Sequence, residues 1–266
     1  MEPVEGVSSP GSHAAAGRRR IQSADKATEV LLALVEAGKA TQLRDLAQAT
    51  GMTNSLTHRY LASLMASGLA VQHEVTGLYD LGHMAVRIGA AALSRVDHLR
   101  LAMEAMPQLV ASTGLPALLC VLGDRGPTIV RWERSYVPFI TTLAAGSTFQ
   151  LTNSASGRVL LAFTPESLRS DLIHQAVTRN FERPPSDLLE KLALIQARRY
   201  DEAESVLIPG LSAMSAPILD VQNEAVACLT LIGASADVER IKDQAIERLV
   251  EASVNISRSC GSFLPA

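Results

Sequence analysis

Cysteine is scarce in this 266-residue chain. The three that occur, Cys120, Cys228 and Cys260, are odd in number, far apart and without a C-x-x-C pair. That pattern argues against a disulfide framework or a cysteine metal site, and each is expected as a buried thiol acting as a small hydrophobe. Long apolar runs are also lacking. The longest, Leu115 to Leu122, contains Pro116 and falls well short of the roughly 18–20 residues of a membrane span. Arg18, Arg19 and Arg20 are followed by no apolar stretch resembling a secretory signal, so a cytoplasmic location is expected. Phosphate loops of the G-x-x-x-x-G-K-[ST] or G-x-G-x-x-G type do not occur. Neither does a G-x-S-x-G elbow, and His174 stands at no recognisable triad spacing from the acids after it. Nothing argues for catalysis, and no cofactor or metal is expected.

What is present is globular. The apolar set makes up 47% of the residues and charged side chains 19%, enough for one large domain or two ordinary ones. Charge is unevenly spread. Between Arg18 and Tyr60 seven bases face four acids, whereas from Leu99 onward fifteen bases face eighteen acids. A modestly basic head on an acidic body suits a nucleic-acid reader whose other half has a different task.

The first twenty residues, rich in Gly, Ser, Ala and Pro, cannot bury enough apolar surface to offset ordering, so residues 1–20 are expected to be a disordered tail. A first helix is expected from Ser23 as N-cap, with Asp25 in its first turn, through Ala27, Val30, Leu31, Leu34 and Val35 to Gly38. Ser23-Ala24-Asp25-Lys26 also fits the S-x-x-K pattern of some acyl-transfer enzymes. The companion segments of that chemistry are missing, and a helix cap suffices. Leu43 to Ala49 reads as a second helix stopping at Gly51, and a third runs from the cap Thr53 to Gly68. Two short helices with Gly in the turn have the spacing of a helix-turn-helix. Leu69 to Val71 and Leu78 to Leu81, joined through Val75-Thr76-Gly77, would be the wing.

At about 100° per residue, Leu56, Tyr60, Leu61 and Leu64 share one side of the third helix, while Ser55, His58, Arg59 and Ala62 share the other. That free face, with Asn54 at its border, suits base edges and phosphates; the plainer alternative is a solvated helix face. His58 as a metal ligand is disfavoured, since no His or Cys stands at helical spacing from it.

These segments carry a resemblance. Ile21-Gln22-Ser23, Gly51-Met52-Thr53-Asn54-Ser55-Leu56-Thr57-His58-Arg59-Tyr60-Leu61 and Tyr79-Asp80-Leu81-Gly82 resemble the N-terminal domain of the IclR family of bacterial transcriptional regulators. Ser154-Ala155-Ser156-Gly157-Arg158-Val159-Leu160-Leu161-Ala162 and the segment from Gly210 to Asp220 resemble landmarks of its second domain, in the right order.

The resemblance implies an α+β fold: a winged helix-turn-helix domain over residues 21–82, a linker helix over 83–96 and a GAF-like effector-binding domain over 97–266. It implies double-stranded operator DNA as a partner, contacted by Asn54, Ser55, Thr57, His58, Arg59 and Arg44. It implies a small-molecule effector, an organic or aromatic acid, held by Ala155, Ser156, Leu211, Ala213, Thr230 and Ile232. A homodimer or dimer of dimers follows from it too, with Ala85, Ile88 and Ala92 packing against a partner chain. The family's acidic pair before the Pro-Gly corner is replaced by Ser205 and Val206, with Glu202 and Glu204 just upstream. The alternative function is a small-molecule-binding protein or enzyme whose winged domain contacts another protein.

Independently of the resemblance, Ala117 to Leu122, Thr128 to Trp132, Val137 to Leu143, Ser205 to Ile208, Leu211 to Leu219 and Ala225 to Ile232 read as strands. Helices are expected over Gly82–Leu93 and Val96–Thr113, after Thr164-Pro165-Glu166 and Pro185-Ser186-Asp187 with polar caps, and from Asp237 to Cys260. Asn153 to Gly157, small residues entering a helix, offers either a plain cap or a backbone cradle for an anion.

Overall fold

The computed structural model describes residues 21–136, 141–204 and 209–262. The chain divides into two compact units, one ending at Ser94 and the other beginning at Arg95.

In the first unit α1 (Gln22–Ala37), α2 (Leu43–Thr50) and α3 (Asn54–Ala66) close on Val30, Leu34, Leu46, Leu61 and Leu64, with Tyr79 filling the edge. Gly51 ends α2 in the left-handed region at φ 65°, which lets the chain turn within three residues into α3. The wing pairs β1 (Ala70–Gln72) antiparallel to β2 (Tyr79–Leu81), with Ala70 opposite Leu81. Then α4 (His83–Leu93) follows, with no buried residue, and Val86 and Ile88 stand exposed on it. One cap differs from expectation. The amides of Ala24 and Asp25 already bond the Ile21 carbonyl, so α1 begins at Gln22, and Ser23 sits inside its first turn instead of capping it.

The second unit is built on a five-stranded antiparallel sheet of order β4-β3-β7-β6-β5, comprising β3 (Ala117–Gly123), β4 (Gly126–Glu133), β5 (Asp201–Glu204), β6 (Leu211–Leu219) and β7 (Ala225–Ala234). On one face lie α5 (His98–Thr113) and α9 (Ser235–Ser259), around Met106, Leu119, Leu229 and Leu249. On the other lie α6 (Ala155–Ala162), α7 (Glu166–Asn180) and α8 (Leu188–Arg198), around Leu118, Leu160, Leu192 and Ile195. Covered on both sides, β6 and β7 read as near-continuous apolar runs.

Several expectations are corrected here. β5, four residues of which three are acidic, is an edge strand that apolar patterning cannot reveal. Residues 141–143 are not a strand, while Val137 to Ile140 and Ser205 to Ile208 lie outside the described residues. The starts of α7 and α8 carry no side-chain cap bond. Thr164 instead donates its hydroxyl back to the Leu160 carbonyl, and Asp187 pairs with Lys191 at 3.1 Å.

Candidate functional site

Two places in the fold bring chemistry-bearing groups together, one in each unit. In the first, α3 starts at Thr53, whose hydroxyl accepts from the Leu56 amide. Asn54, Ser55, His58 and Arg59 then stand exposed on one side of the helix, and no hydrogen bond or ion pair holds the His58 or Arg59 side chain among the described residues. A free guanidinium, imidazole and carboxamide in this order match what base edges and phosphates accept. Arg44, on α2, is exposed as well and pairs with Asp45 at 3.4 Å.

Thr57 must be removed from this set. It is wholly buried, with its hydroxyl donated to the Thr53 carbonyl at 3.0 Å, so its side chain cannot reach DNA. Thr57, Leu61 and Leu64 stand at i, i+4 and i+7, a core stripe that helical spacing does reveal once Thr is admitted to it.

The second place is a small cavity of about 50 Å³ in the other unit, open to solvent on one side. Its floor is the sheet: Ala203, Leu211, Ala213, Thr230 and Ile232. Its walls are the start of α6, at Ser154, Ala155 and Ser156, and the segment holding Leu143, Phe149, Gln150 and Asn153. All six residues associated with an effector in the sequence therefore line one space. Glu204 also lines it, whereas Glu202 is held 2.6 Å from Lys242 of α9.

The helix that forms this wall is buried at every one of its eight positions, so each of its end groups needs a partner. Its C-terminal end is supplied. Arg169 donates to the carbonyls of Leu161, Ala162 and Thr164, and Gln196 donates to that of Ala162. At the N-terminal end, the Gly157 amide takes Ser154 Oγ at 3.0 Å and the Arg158 amide takes the Ser154 carbonyl. The Ala155 and Ser156 amides have no partner among the described residues, although these two residues are 1% and 2% exposed. Both residues line the cavity at the positive end of the helix, where an anion is stabilised.

Two buried networks hold that wall in place. Glu182 accepts from the amides of Leu151 and Thr152, both at 2.8 Å, and from the Thr152 hydroxyl at 2.7 Å. It reaches inward because Phe181 closes α7 in the left-handed region at φ 54°, turning itself to solvent and the next residue to the interior. Behind the same turn Gly157 is packed so closely that a Cβ there would collide with the Leu151 carbonyl. Farther along α6, Arg158 donates to Asp201 at 2.7 Å, and Arg198 reaches the other carboxylate oxygen at 2.8 Å, which ties α6 and α8 to β5. Glu182, Arg158 and Asp201 were not found from the sequence. Glu182 lies about thirty residues from its partners, and no local spacing marks it.

Under the floor, Cys120 and Cys228 stand opposite each other on β3 and β7. The Cys228 thiol and burial push the Cys120 thiol well above its ordinary range, so Cys120 behaves as a packing group. Among the described residues no cluster of three or more His, Cys, Asp or Glu groups suits a metal.

Comparison with known proteins agrees with both halves. Residues 23–74 match the model of the IclR helix-turn-helix domain, and residues 90–258 match that of the C-terminal domain of the bacterial transcriptional regulator IclR. The crystal structure of HmgR from Pseudomonas aeruginosa superposes with a TM-score of 0.80 at 34% identity, covering 92% of this chain and all of that one. The regulator BhcR of Paracoccus denitrificans is 26% identical over 90% of this chain and 85% of its own length. The transcriptional repressor IclR of Escherichia coli is 25% identical over 92% and 90%.

Proposed function

The chain belongs to the IclR family of bacterial transcriptional regulators, with a helix-turn-helix domain for DNA followed by an effector-binding domain, and from that premise we propose how the two are used. Operator DNA is read by Asn54, Ser55, His58 and Arg59 on α3, with Arg44 on α2 taking a phosphate. A small organic acid, aliphatic or aromatic, sits in the cavity with its carboxylate on the Ala155 and Ser156 amides and its apolar body against Leu211, Ala213 and Ile232. The acid is bound without being turned over. The protein works in the cytoplasm as a homodimer or a dimer of dimers, because one winged module with a small local excess of bases binds poorly at physiological salt.

The observation that carries the effector reading is the asymmetry of α6. Its buried C-terminal carbonyls are satisfied by Arg169 and Gln196, and its buried N-terminal amides at 155 and 156 are not. Buried amides left without partners are rare, and a ligand oxygen or water normally completes them. Operon names among the relatives support a metabolic signal: the matching regulators include a glycerol operon regulatory protein of Streptomyces coelicolor and the acetate operon repressor of Salmonella typhimurium.

Thermal unfolding against a panel of short aliphatic and aromatic carboxylates tests this reading. At least one is expected to raise the melting temperature of the wild type and to leave Ser156→Leu unchanged, since Leu at 156 fills the cavity beside the amides. Equal stabilisation of both proteins by that acid would move the site elsewhere.

A further inference from the structure

Three buried hydroxyls run inward from the cavity wall. Ser156 Oγ lies 2.9 Å from Thr230 Oγ1, which lies 2.9 Å from Ser215 Oγ, which in turn lies 3.2 Å from the Leu229 carbonyl oxygen. Each hydroxyl has one proton to give and two lone pairs. The carbonyl of Leu229 only accepts, so the Ser215 proton lies on that contact; otherwise two sets of lone pairs would face each other. Ser215 then has only lone pairs for Thr230, whose proton points to it. Thr230 has only lone pairs left for Ser156, whose proton points inward as well. The Cys228 thiol, 3.8 Å from the Ser156 carbonyl and 4.0 Å from Thr230 Oγ1, is too weak a donor to reverse this order.

The relay therefore has one direction, from Ser156 through Thr230 and Ser215 to Leu229. Ser156 and Thr230 both line the cavity, and Ser156 Oγ has lone pairs and no proton to offer there. Its own amide, on the same residue, offers a proton and no lone pair. Ser156 thus presents an acceptor beside a donor. A bound molecule that satisfies both carries an acceptor and a donor on adjacent atoms.

Resting on the reading that a carboxylate occupies the Ala155 and Ser156 amides, we infer that the effector is a 2-hydroxy acid whose hydroxyl donates to Ser156 Oγ. Its remaining substituent has an apolar part that rests on Leu143, Phe149, Leu211 and Ile232, while Gln150, Asn153 and Glu204 leave the same space a polar side. A 2-oxo acid of the same skeleton would set its ketone lone pairs against those of Ser156 and be rejected. Sites built around a substrate hydroxyl discriminate strongly against analogues that lack its proton, because the protein group is then left unpaired.

Matched pairs test this by titration calorimetry of the full chain: mandelate against phenylglyoxylate, and 2-hydroxyisocaproate against 4-methyl-2-oxovalerate. The hydroxy acid of at least one pair is expected to bind at least tenfold more tightly than its oxo partner. Ser156→Ala should reduce that ratio below threefold. Thr230→Val, nearly isosteric, removes the acceptor that holds the Ser156 proton, frees that proton for the cavity and should turn the preference toward the oxo acid. A wild type that binds the oxo acid as tightly or more tightly overturns the inference while the carboxylate reading stands, provided Ser156→Leu abolishes binding of both. An unchanged ratio in both Ser156→Ala and Thr230→Val overturns it too, as does absence of millimolar binding by either pair. Binding that persists in Ser156→Leu overturns the carboxylate reading itself.

Discussion

Two helix starts in this molecule are capped alike and set in different surroundings. At α3 the Thr53 hydroxyl accepts from the amide three residues on, and at α6 Ser154 does the same. Both caps have extended backbone and both precede a pair of short side chains ending in serine, Asn54-Ser55 in one and Ala155-Ser156 in the other. What separates them is burial. The start of α3 leaves Asn54 and Ser55 open to solvent, with a free guanidinium one turn farther along, which suits a partner as large as a DNA duplex. The first turn of α6 is closed off by the sheet and by the turn that Glu182 holds, which admits only a small molecule. A cap motif therefore locates a helix start without saying what meets it; the burial of the residues after it decides.

The largest expected effect comes from removing what closes α6 off. Glu182→Ala leaves two buried amides and one buried hydroxyl without an acceptor, each of which costs about 1–3 kcal/mol. The second unit should lose on the order of 3 kcal/mol or more in calorimetric unfolding. A loss below about 1 kcal/mol would mean that water replaces the carboxylate and that the two helix starts differ less than described.

Next in size is the free face of α3. Arg59→Ala should weaken operator binding at least tenfold in a gel shift, the scale of about 1–3 kcal/mol for a lost base contact, with unfolding unchanged. A folded Arg59→Ala protein with wild-type affinity would make that face an ordinary solvated surface. Thr57→Ala offers the internal contrast. It should lower stability by about 1 kcal/mol through a lost hydrogen bond, and leave the salt dependence of DNA binding as it was.

The smallest effects sharpen the comparison most. Thr53→Ala and Ser154→Ala each remove one cap, worth about 1 kcal/mol. The first should reduce operator affinity and spare carboxylate binding, and the second should do the reverse. Equal changes in both assays for either variant would deny that the two caps serve separate sites.

The order of helices and strands was readable from residue patterns because most elements here follow one period closely. Leu61 and Leu64 mark α3, and the apolar runs of β6 and β7 mark strands covered on both faces. What escaped has physical reasons. β5 is acidic because it is an edge held by Arg158, Arg198 and Lys242, so its signal lies in its partners and not in its own residues. Thr57 entered the DNA-contacting set with the family resemblance, and helical spacing left it off the free face; its hydroxyl bonds its own helix. Ser23 looked like a cap because a serine before an apolar repeat usually is one, yet the Ile21 carbonyl had already begun the turn. The cavity lining at 211, 213, 230 and 232 came from family resemblance, whereas the turn at 155 and 156 also reads as a plain cap or an anion cradle from its small residues; Glu182 and the direction of the hydroxyl relay needed coordinates.

The account stands on one coupling: a carboxylate at the start of α6 changes how tightly α3 holds DNA. Operator affinity of wild type and Ser156→Leu, measured by fluorescence anisotropy with and without the carboxylate that most stabilises the wild type, tests it directly. A ligand shifts such an equilibrium only through its different affinity for the two states, and typical couplings run about 5–150-fold. The expected result is a change of at least about fivefold in the wild type, and none in Ser156→Leu, whose ligand-free affinity should match the wild type. The same change in both proteins, or tight carboxylate binding with no change in operator affinity, would contradict the account.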